Sequence, residues 1–365
     1  MKKFSNLLIT LLFCLALGAG LLGLALLPSP EVLQSERRRP APPPTLNDLR
    51  DDRWMRNAES YLADKFPLRD GFRTLRAFTT LYLLGQTDKD GLYLDQGHAG
   101  KFEPIDETAA KRSAALIAKL AANYPEQRVY YAVIPDKSIY ARTQFPGFDP
   151  ARLREITGPA LAGLTEIDLV PALSLESYYR TDLHWDQARL RPVIEALGKG
   201  MGFTPQWEYE ARSLGPFHGV YAGQLALPLK PDEMTILTDG EDHAGGGLDR
   251  VAAQYFDPEA GGFAPGPVYH EEKATGRDPY DVFLGGAQAL ITLENPSNTS
   301  GRELYIFRDS FGSSIAPLLT TYYSRVTLID LRYINARILP TYVTFCRARM
   351  CCSWWAGRFL TRIPG

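Results

Sequence analysis

Tyr178-Tyr179-Arg180-Thr181-Asp182-Leu183-His184-Trp185 is the stretch on which the reading of this chain turns. Asp182 and His184 are separated by one residue. On an extended backbone, where successive side chains take opposite faces, that spacing points a carboxylate and an imidazole the same way. A carboxylate holding one ring nitrogen leaves the other free to take a proton from a hydroxyl nucleophile. Asp-x-His is also the pattern of a structural histidine, so a nucleophile has to be found elsewhere in the chain.

Ser310 fits best, in Leu304-Tyr-Ile-Phe-Arg-Asp-Ser310-Phe-Gly-Ser. An apolar strand-like run breaks there at Arg308-Asp309 and a helical pattern over Ile315 to Tyr323 follows. A serine at a strand-to-helix turn exposes its hydroxyl beside backbone amides that can stabilise an oxyanion. Asp-Ser at such a turn is equally an ordinary helix N-cap.

Thr181-Asp182-Leu183-His184-Trp185 followed much later by Arg308-Asp309-Ser310-Phe311 resembles the DHHW family of membrane-anchored bacterial surface proteins. These are similar to the SGNH-type O-acetyltransferases of the alginate-acetylation (AlgX and AlgJ) kind. The likeness extends over about residues 30 to 335 and includes Tyr61-Leu-Ala-Asp-Lys-Phe-Pro-Leu-Arg-Asp70. Ser35-Glu36-Arg37-Arg38 before Pro40 is similar to the family's juxtamembrane Glu-Asn-Arg signature, without its asparagine. The resemblance implies an α/β, three-layer SGNH-hydrolase-like fold with a mostly parallel sheet. It also implies an oxyanion loop around Gly286 and Gln288, although family members commonly carry asparagine where this chain has Ala287-Gln288. A Pro-Asp-Lys element, here Pro135-Asp136-Lys137, is likewise similar to one in the family.

The 365 residues allow one large domain or two small ones, and a net charge of −2 without a long basic block gives no footprint for nucleic acid. Cys14, Cys346, Cys351 and Cys352 leave the body of the chain without a disulfide framework or zinc spacing. His218, His243 and His270 lack metal-ligand spacing and read as surface residues. No metal or cofactor is implied.

Lys2 and Lys3 precede an apolar run over residues 4–27, long enough to cross a hydrocarbon core of about 30 Å. Its end, Leu26-Leu27-Pro28-Ser29-Pro30, lacks a small-x-small cleavage site, so residues 1–30 read as an uncleaved anchor with the main domain extracytoplasmic. Residues 31–87 comprise a proline-rich spacer and two packing helices, over Trp54 to Lys65 and Phe72 to Leu84. Residues 88–345 form the catalytic domain. Glu107 to Tyr124 reads as a helix, Val129 to Ile134 as a buried strand, and Ile167 to Val170, Tyr280 to Gln288, Ala289 to Leu293 and Val326 to Ile329 as further strands. Residues 202–280 read as a glycine- and proline-rich insertion lining an acceptor groove, with strands over Val220 to Leu229 and Glu233 to Thr238.

Lys137, at the C-terminal end of a strand, is a substrate-side or supporting candidate, or a solvated lysine. Trp185 either stacks on a sugar ring or fills the core. Arg332 either binds an anionic group or makes a salt bridge.

Residues 346–365 look out of frame. Reading the third base of each codon with the first two of the next turns Met350 to Ala356 into a peptide close to Val-Leu-Phe-Leu-Val-Gly, a buried-strand pattern that the present frame lacks. A frameshift near residues 345 to 349 would leave the sheet without its last strand and the tail disordered.

The reading that combines these features is a membrane-anchored extracytoplasmic O-acyltransferase moving acetyl groups onto a cell-surface polysaccharide. Ser310 would be the nucleophile, His184 the acid and base, and Asp182 its orienting carboxylate. The resemblance implies a membrane-bound acyltransferase as acyl donor. A carbohydrate esterase, with water as acceptor, and a non-catalytic glycan- or partner-binding surface protein are the alternatives.

Overall fold

The computed structural model describes residues 2–50, 53–143, 147–239, 247–345 and 350–356. They fall into two compact units: the chain up to Asp90 together with Ala222–Pro228, and the remainder.

In the first unit, α1 (Lys2–Leu26) is followed by a short α2 (Leu46–Arg50), α3 (Trp54–Lys65) and α4 (Arg69–Phe78), which runs on into a π-helical turn, Thr79–Leu83. α1 is long and apolar enough to cross a membrane. α3 stops where it does because Pro67 restricts the preceding residue to extended backbone, and Phe66 has φ −59° and ψ 130°.

The second unit opens with a hairpin, β1 (Leu92–Asp95) and β2 (His98–Lys101). α5 (Glu107–Ala122), started by the Asp106 carboxylate accepting from the Ala109 amide, leads to β3 (Val129–Ile134), α6 (Pro150–Leu161) and β4 (Thr165–Glu166). α7 (Arg191–Met201), β5 (Tyr209–Phe217) and β6 (Asp232–Asp239) come next; between the last two runs α8 (Val220–Leu225), which begins in this unit and ends in the Ala222–Pro228 segment of the first. β7 (Ala252–Asp257), β8 (Gly262–Gly266), β9 (Leu290–Glu294), β10 (Glu303–Phe307), α9 (Phe311–Leu319), β11 (Arg325–Ile329), α10 (Leu339–Tyr342) and β12 (Met350–Ala356) complete it.

Eight strands form one sheet in the order β4-β3-β12-β10-β11-β9-β7-β8. The sequence reading called for a mostly parallel sheet; the observed one is mixed. β4, β3, β12, β10 and β11 run parallel, whereas β9, β7 and β8 add an antiparallel flank. A parallel neighbour requires a long crossover, and the short β7-to-β8 link permits only a hairpin. Side chains alternate between two cores. Ala132, Ile134, Leu304 and Ile306 meet α7 and α9, while Tyr131, Tyr305 and Phe307 belong with α5 and α6.

Three strand expectations are corrected. Tyr280 to Gln288 is a 3₁₀ turn (Pro279–Val282) followed by left-handed backbone at Leu284, Gly285 and Gly286. Ile167 to Val170 gives way to the two-residue β4 and a 3₁₀ turn, Val170–Ala172. Val220 to Leu229 contains the helix α8, whose first amides find acceptors at Asp182 and Thr181 instead of a neighbouring strand.

The tail also departs from expectation. Residues 346–349 and 357–365 lie outside the described residues, but Met350–Ala356 is strand β12, seated between β3 and β10 and parallel to both. Ladder bonds are made by the main chain, so the slot accepts a segment whose side-chain sequence shows no strand pattern. Its neighbours on both faces are apolar, the setting of the shifted-frame peptide. Replacing Met350–Trp355 by Val-Leu-Phe-Leu-Val-Gly is expected to stabilise the fold by several kcal/mol, on the order of one or two buried aliphatic side chains. Urea melts of the two chains check this; equal midpoints would remove the argument for an altered frame.

Candidate active site

Asp182 and His184 do converge, but not by strand alternation. Residues 180–184 form a tight loop closed by a bridge between Tyr178 and Trp185, with the Tyr179 amide donating to the His184 carbonyl at 3.0 Å. Within the loop Asp182 Oδ1 accepts the His184 backbone amide at 3.1 Å and lies 2.7 Å from His184 Nδ1. A carboxylate accepting from the amide two residues on is a turn-forming device. One side chain thus bends the loop and holds the ring. Its second oxygen accepts the Val220 amide of α8 at 2.9 Å.

The loop is pinned from behind by two residues. Lys137 is 1 % exposed, and its ammonium donates to the carbonyls of Tyr179 (2.9 Å), Arg180 (3.3 Å) and Asp182 (2.8 Å). The solvated alternative is excluded by that burial. Asp232 accepts the amides of Arg180 and Thr181 at 2.6 and 2.7 Å, together with the Thr181 hydroxyl. Thr181 Oγ1 in turn accepts the Gly219 amide, where a Cβ would fall 2.4 Å from the Thr181 carbonyl oxygen. Sequence reading missed Asp232, which sits in a stretch without periodicity.

Ser310 occupies the N-cap position of α9, yet its side chain makes no capping bond. Asp309 does that work, accepting the Phe311 amide at 3.0 Å. The Ser310 hydroxyl is therefore left for His184 Nε2, 2.8 Å away. Burial pushes the Asp309 carboxyl up from its ordinary range, against the opposing pull of Arg332. Arg308, also buried, reaches from this turn to the Gln288 carbonyl at 3.4 Å and to Ser313 Oγ at 3.0 Å, and burial pulls its guanidinium down.

Tyr280 lies flat on the imidazole, with ring centroids of His184 and Tyr280 3.7 Å apart and planes 5° from parallel. Its hydroxyl donates to Ser314 Oγ at 2.7 Å, which also accepts Trp185 Nε1 at 2.8 Å. Trp185 is completely buried and packs edge-on against Phe311, so of its two expected roles the core-filling one is observed and sugar stacking is not. Tyr280 was not singled out from the sequence, because an aromatic residue gives no sign of which ring it will meet.

The other residues singled out from the sequence are found in different states. Gly286 takes φ +86°, and its amide donates back to the Phe283 carbonyl at 3.3 Å. Gln288 is half-buried, with its carbonyl on Arg308. Arg332 grips Asp330 through two nitrogens at 2.8 and 2.5 Å, the salt-bridge alternative. His218 is exposed, His270 contacts Glu272 and Tyr255, and His243 lies outside the described residues.

By sequence, no family profile and no curated protein matches this chain. Solved structures do. A DHHW family protein from Eubacterium siraeum superposes with a TM-score of 0.58 at 18% identity, covering 76% of this chain and 94% of that one. Bacillus cereus PatB1 with a sulfonyl adduct gives 0.57 at 14% identity over 74% and 96% of the two chains. The O-acetyltransferase domain of Pseudomonas putida AlgJ gives 0.42 at 13% identity over 75% and 94%. The chain has the fold shared by the first two, in agreement with the resemblance read from its motifs.

The Asp182 environment makes a testable statement about pH. Burial raises its pKa, but the hydrogen bond and charge of His184 and the amides of Val220 and His184 outweigh it and hold the carboxyl well below the usual range. A carboxyl depressed in the folded state adds stability above its unfolded pKa of about 3.9, and that contribution is lost as pH falls through the folded value. Denaturant melts between pH 7 and pH 2 are expected to show Asp182→Asn less stable at neutral pH, with the gap narrowing on acidification. A gap independent of pH would contradict this electrostatic account.

Proposed function

We propose that this protein is an extracytoplasmic, membrane-anchored O-acyltransferase that moves acetyl groups onto a cell-surface polysaccharide through Ser310, His184 and Asp182. The observation that carries the reading is the Ser310 hydroxyl, which is withheld from capping α9 and hydrogen-bonded to His184 Nε2.

In this reading His184 Nε2 takes the Ser310 proton as Oγ attacks the acyl carbonyl of the donor. Asp182, held ionised, keeps the tautomer with Nδ1 protonated and stabilises the imidazolium. In the same reading the Ser310 amide, which donates to no oxygen among the described residues, would serve the developing oxyanion. His184 returns the proton to the leaving group, and a sugar hydroxyl then repeats the sequence in reverse, taking the acyl group from Ser310. Water in place of that hydroxyl would make the same centre an esterase. A membrane anchor favours transfer, because it holds the domain beside a membrane-bound acyl donor.

PatB1, which shares the fold, carries a sulfonyl adduct in its structure, so a sulfonyl fluoride and an activated aryl acetate are natural probes. The full chain in detergent is expected to gain one adduct by intact mass and to turn over the aryl acetate, and Ser310→Ala to do neither. Asp182→Asn is expected to lower turnover by about 10³–10⁴-fold, the loss typical of an imidazole left in the wrong tautomer. A folded wild-type chain that neither reacts nor turns over would overturn the enzyme reading and favour glycan binding.

The Tyr280 ring gives a separate test. If it holds the imidazole in plane, Tyr280→Leu should lower kcat by about 10–100-fold with KM unchanged, as expected for a misplaced base. Tyr280→Phe, which keeps the face and loses only the hydroxyl, should retain most of the activity. Equal losses in both variants would assign the effect to the Ser314 hydrogen bond instead.

A further inference from the structure

The first unit presents an apolar face that its own fold leaves uncovered. Leu68, Phe72, Leu75, Phe78 and Leu83 are each between 55 and 82 % exposed, at the three- to five-residue spacing of one side of α4 and its π-helical continuation. On another side of the same helix, Arg69 and Arg73 are turned inward and spent on Glu36, at 3.0 and 2.8 Å. Arg69 also reaches Asp64, which Arg38 grips through two bonds of 2.7 Å. Polar chemistry therefore closes the unit, and the apolar stripe is what remains outside.

The position of the stripe relative to α1 says what covers it. The Phe66 ring, at the α3-to-α4 corner, lies 3.5 Å from where a Gly20 Cβ would be, and a Cβ on Gly23 would fall 2.3 Å from Pro67 Cγ. Phe4–Leu26 spans about 34 Å against a hydrocarbon core of about 30 Å, so little of α1 stands clear of the bilayer. Gly20 lies about 9 Å below the helix end, within the hydrocarbon. The corner that touches it must reach the same depth, and Leu68 begins the stripe at that corner.

We propose that α4 and its π-helical continuation lie in the outer membrane interface, with Leu68, Phe72, Leu75, Phe78 and Leu83 inserted among the lipid acyl chains. The proposal rests on reading α1 as a retained membrane span. It makes the first unit a platform attached to the bilayer at two places rather than a domain tethered by one helix. Aromatic and aliphatic side chains on one face with arginines on another are the composition of an interfacial helix.

Photo-crosslinking of the full chain in nanodiscs of defined phospholipid tests it. p-Benzoylphenylalanine is placed in turn at Phe72, Leu75 and Phe78, at the exposed Asp70 on the side of α4 away from the stripe, and at Leu15 in the middle of α1. Intact mass is expected to show phospholipid adducts at positions 72, 75 and 78 in yields several-fold above position 70 and comparable with position 15. A crosslinked dimer would make the stripe a contact between copies of this chain, and an internal crosslink would make it a contact within one chain. Either result overturns the proposal, as does an absence of lipid adducts at 72, 75 and 78 when position 15 gives them. No adduct at position 15 would instead show that α1 is not in the bilayer, and the proposal would fall with that reading while the Ser310 chemistry stood untouched.

Discussion

A single buried ammonium sets the geometry on which the candidate site depends. Lys137 gathers the carbonyls of Tyr179, Arg180 and Asp182, three main-chain oxygens of one short loop, around one cation. Buried carbonyls without partners are costly, as is a buried charge without them. Each satisfies the other here, so the loop has little freedom to take another path. Asp232 acts on the opposite polarity, collecting the amides of Arg180 and Thr181. Between a cation for its oxygens and a carboxylate for its nitrogens, the loop delivers Asp182 and His184 as a rigid pair.

The electrostatics of the centre follow from the same economy of partners. Asp182 and Asp309 are both deeply buried, yet one is pushed down and the other up. The difference lies in what surrounds each carboxylate: Asp182 has an imidazole and two amides, whereas Asp309 has one amide and more distant positive charge. Asp182 is thereby suited to support a cation forming on His184. Asp309 serves the helix start and frees the serine hydroxyl. The stacked Tyr280 ring and the Ser314 hydroxyl that joins it to Trp185 complete a packed wall along the imidazole.

Much of this is legible in the amino-acid sequence itself. α1, α3, α5, β3 and β11 fall within a few residues of where periodicity or continuous apolar runs put them, because each buries a face or a whole segment that the pattern records. The antiparallel flank of the sheet was not legible. β7 and β8 come from a stretch where glycine, proline and short links blur any period. The last strand was not legible either, since a slot between two paired edges can recruit main chain irrespective of side-chain pattern.

The site divides in the same way. From residue types and spacing alone came Asp182, His184 and Ser310, because an acid, an imidazole and a hydroxyl at a strand-to-helix turn carry their chemistry in their identities. Whether Ser310 caps a helix or meets His184, and whether Lys137 is solvated or grips a loop, depends on distances between segments far apart in the chain. Tyr280 and Asp232 likewise acquire meaning only from the rings and amides that folding brings against them. Chemical capacity is a property of the residue and can be read from a sequence. Burial and partnership are properties of position, and only tertiary structure decides them.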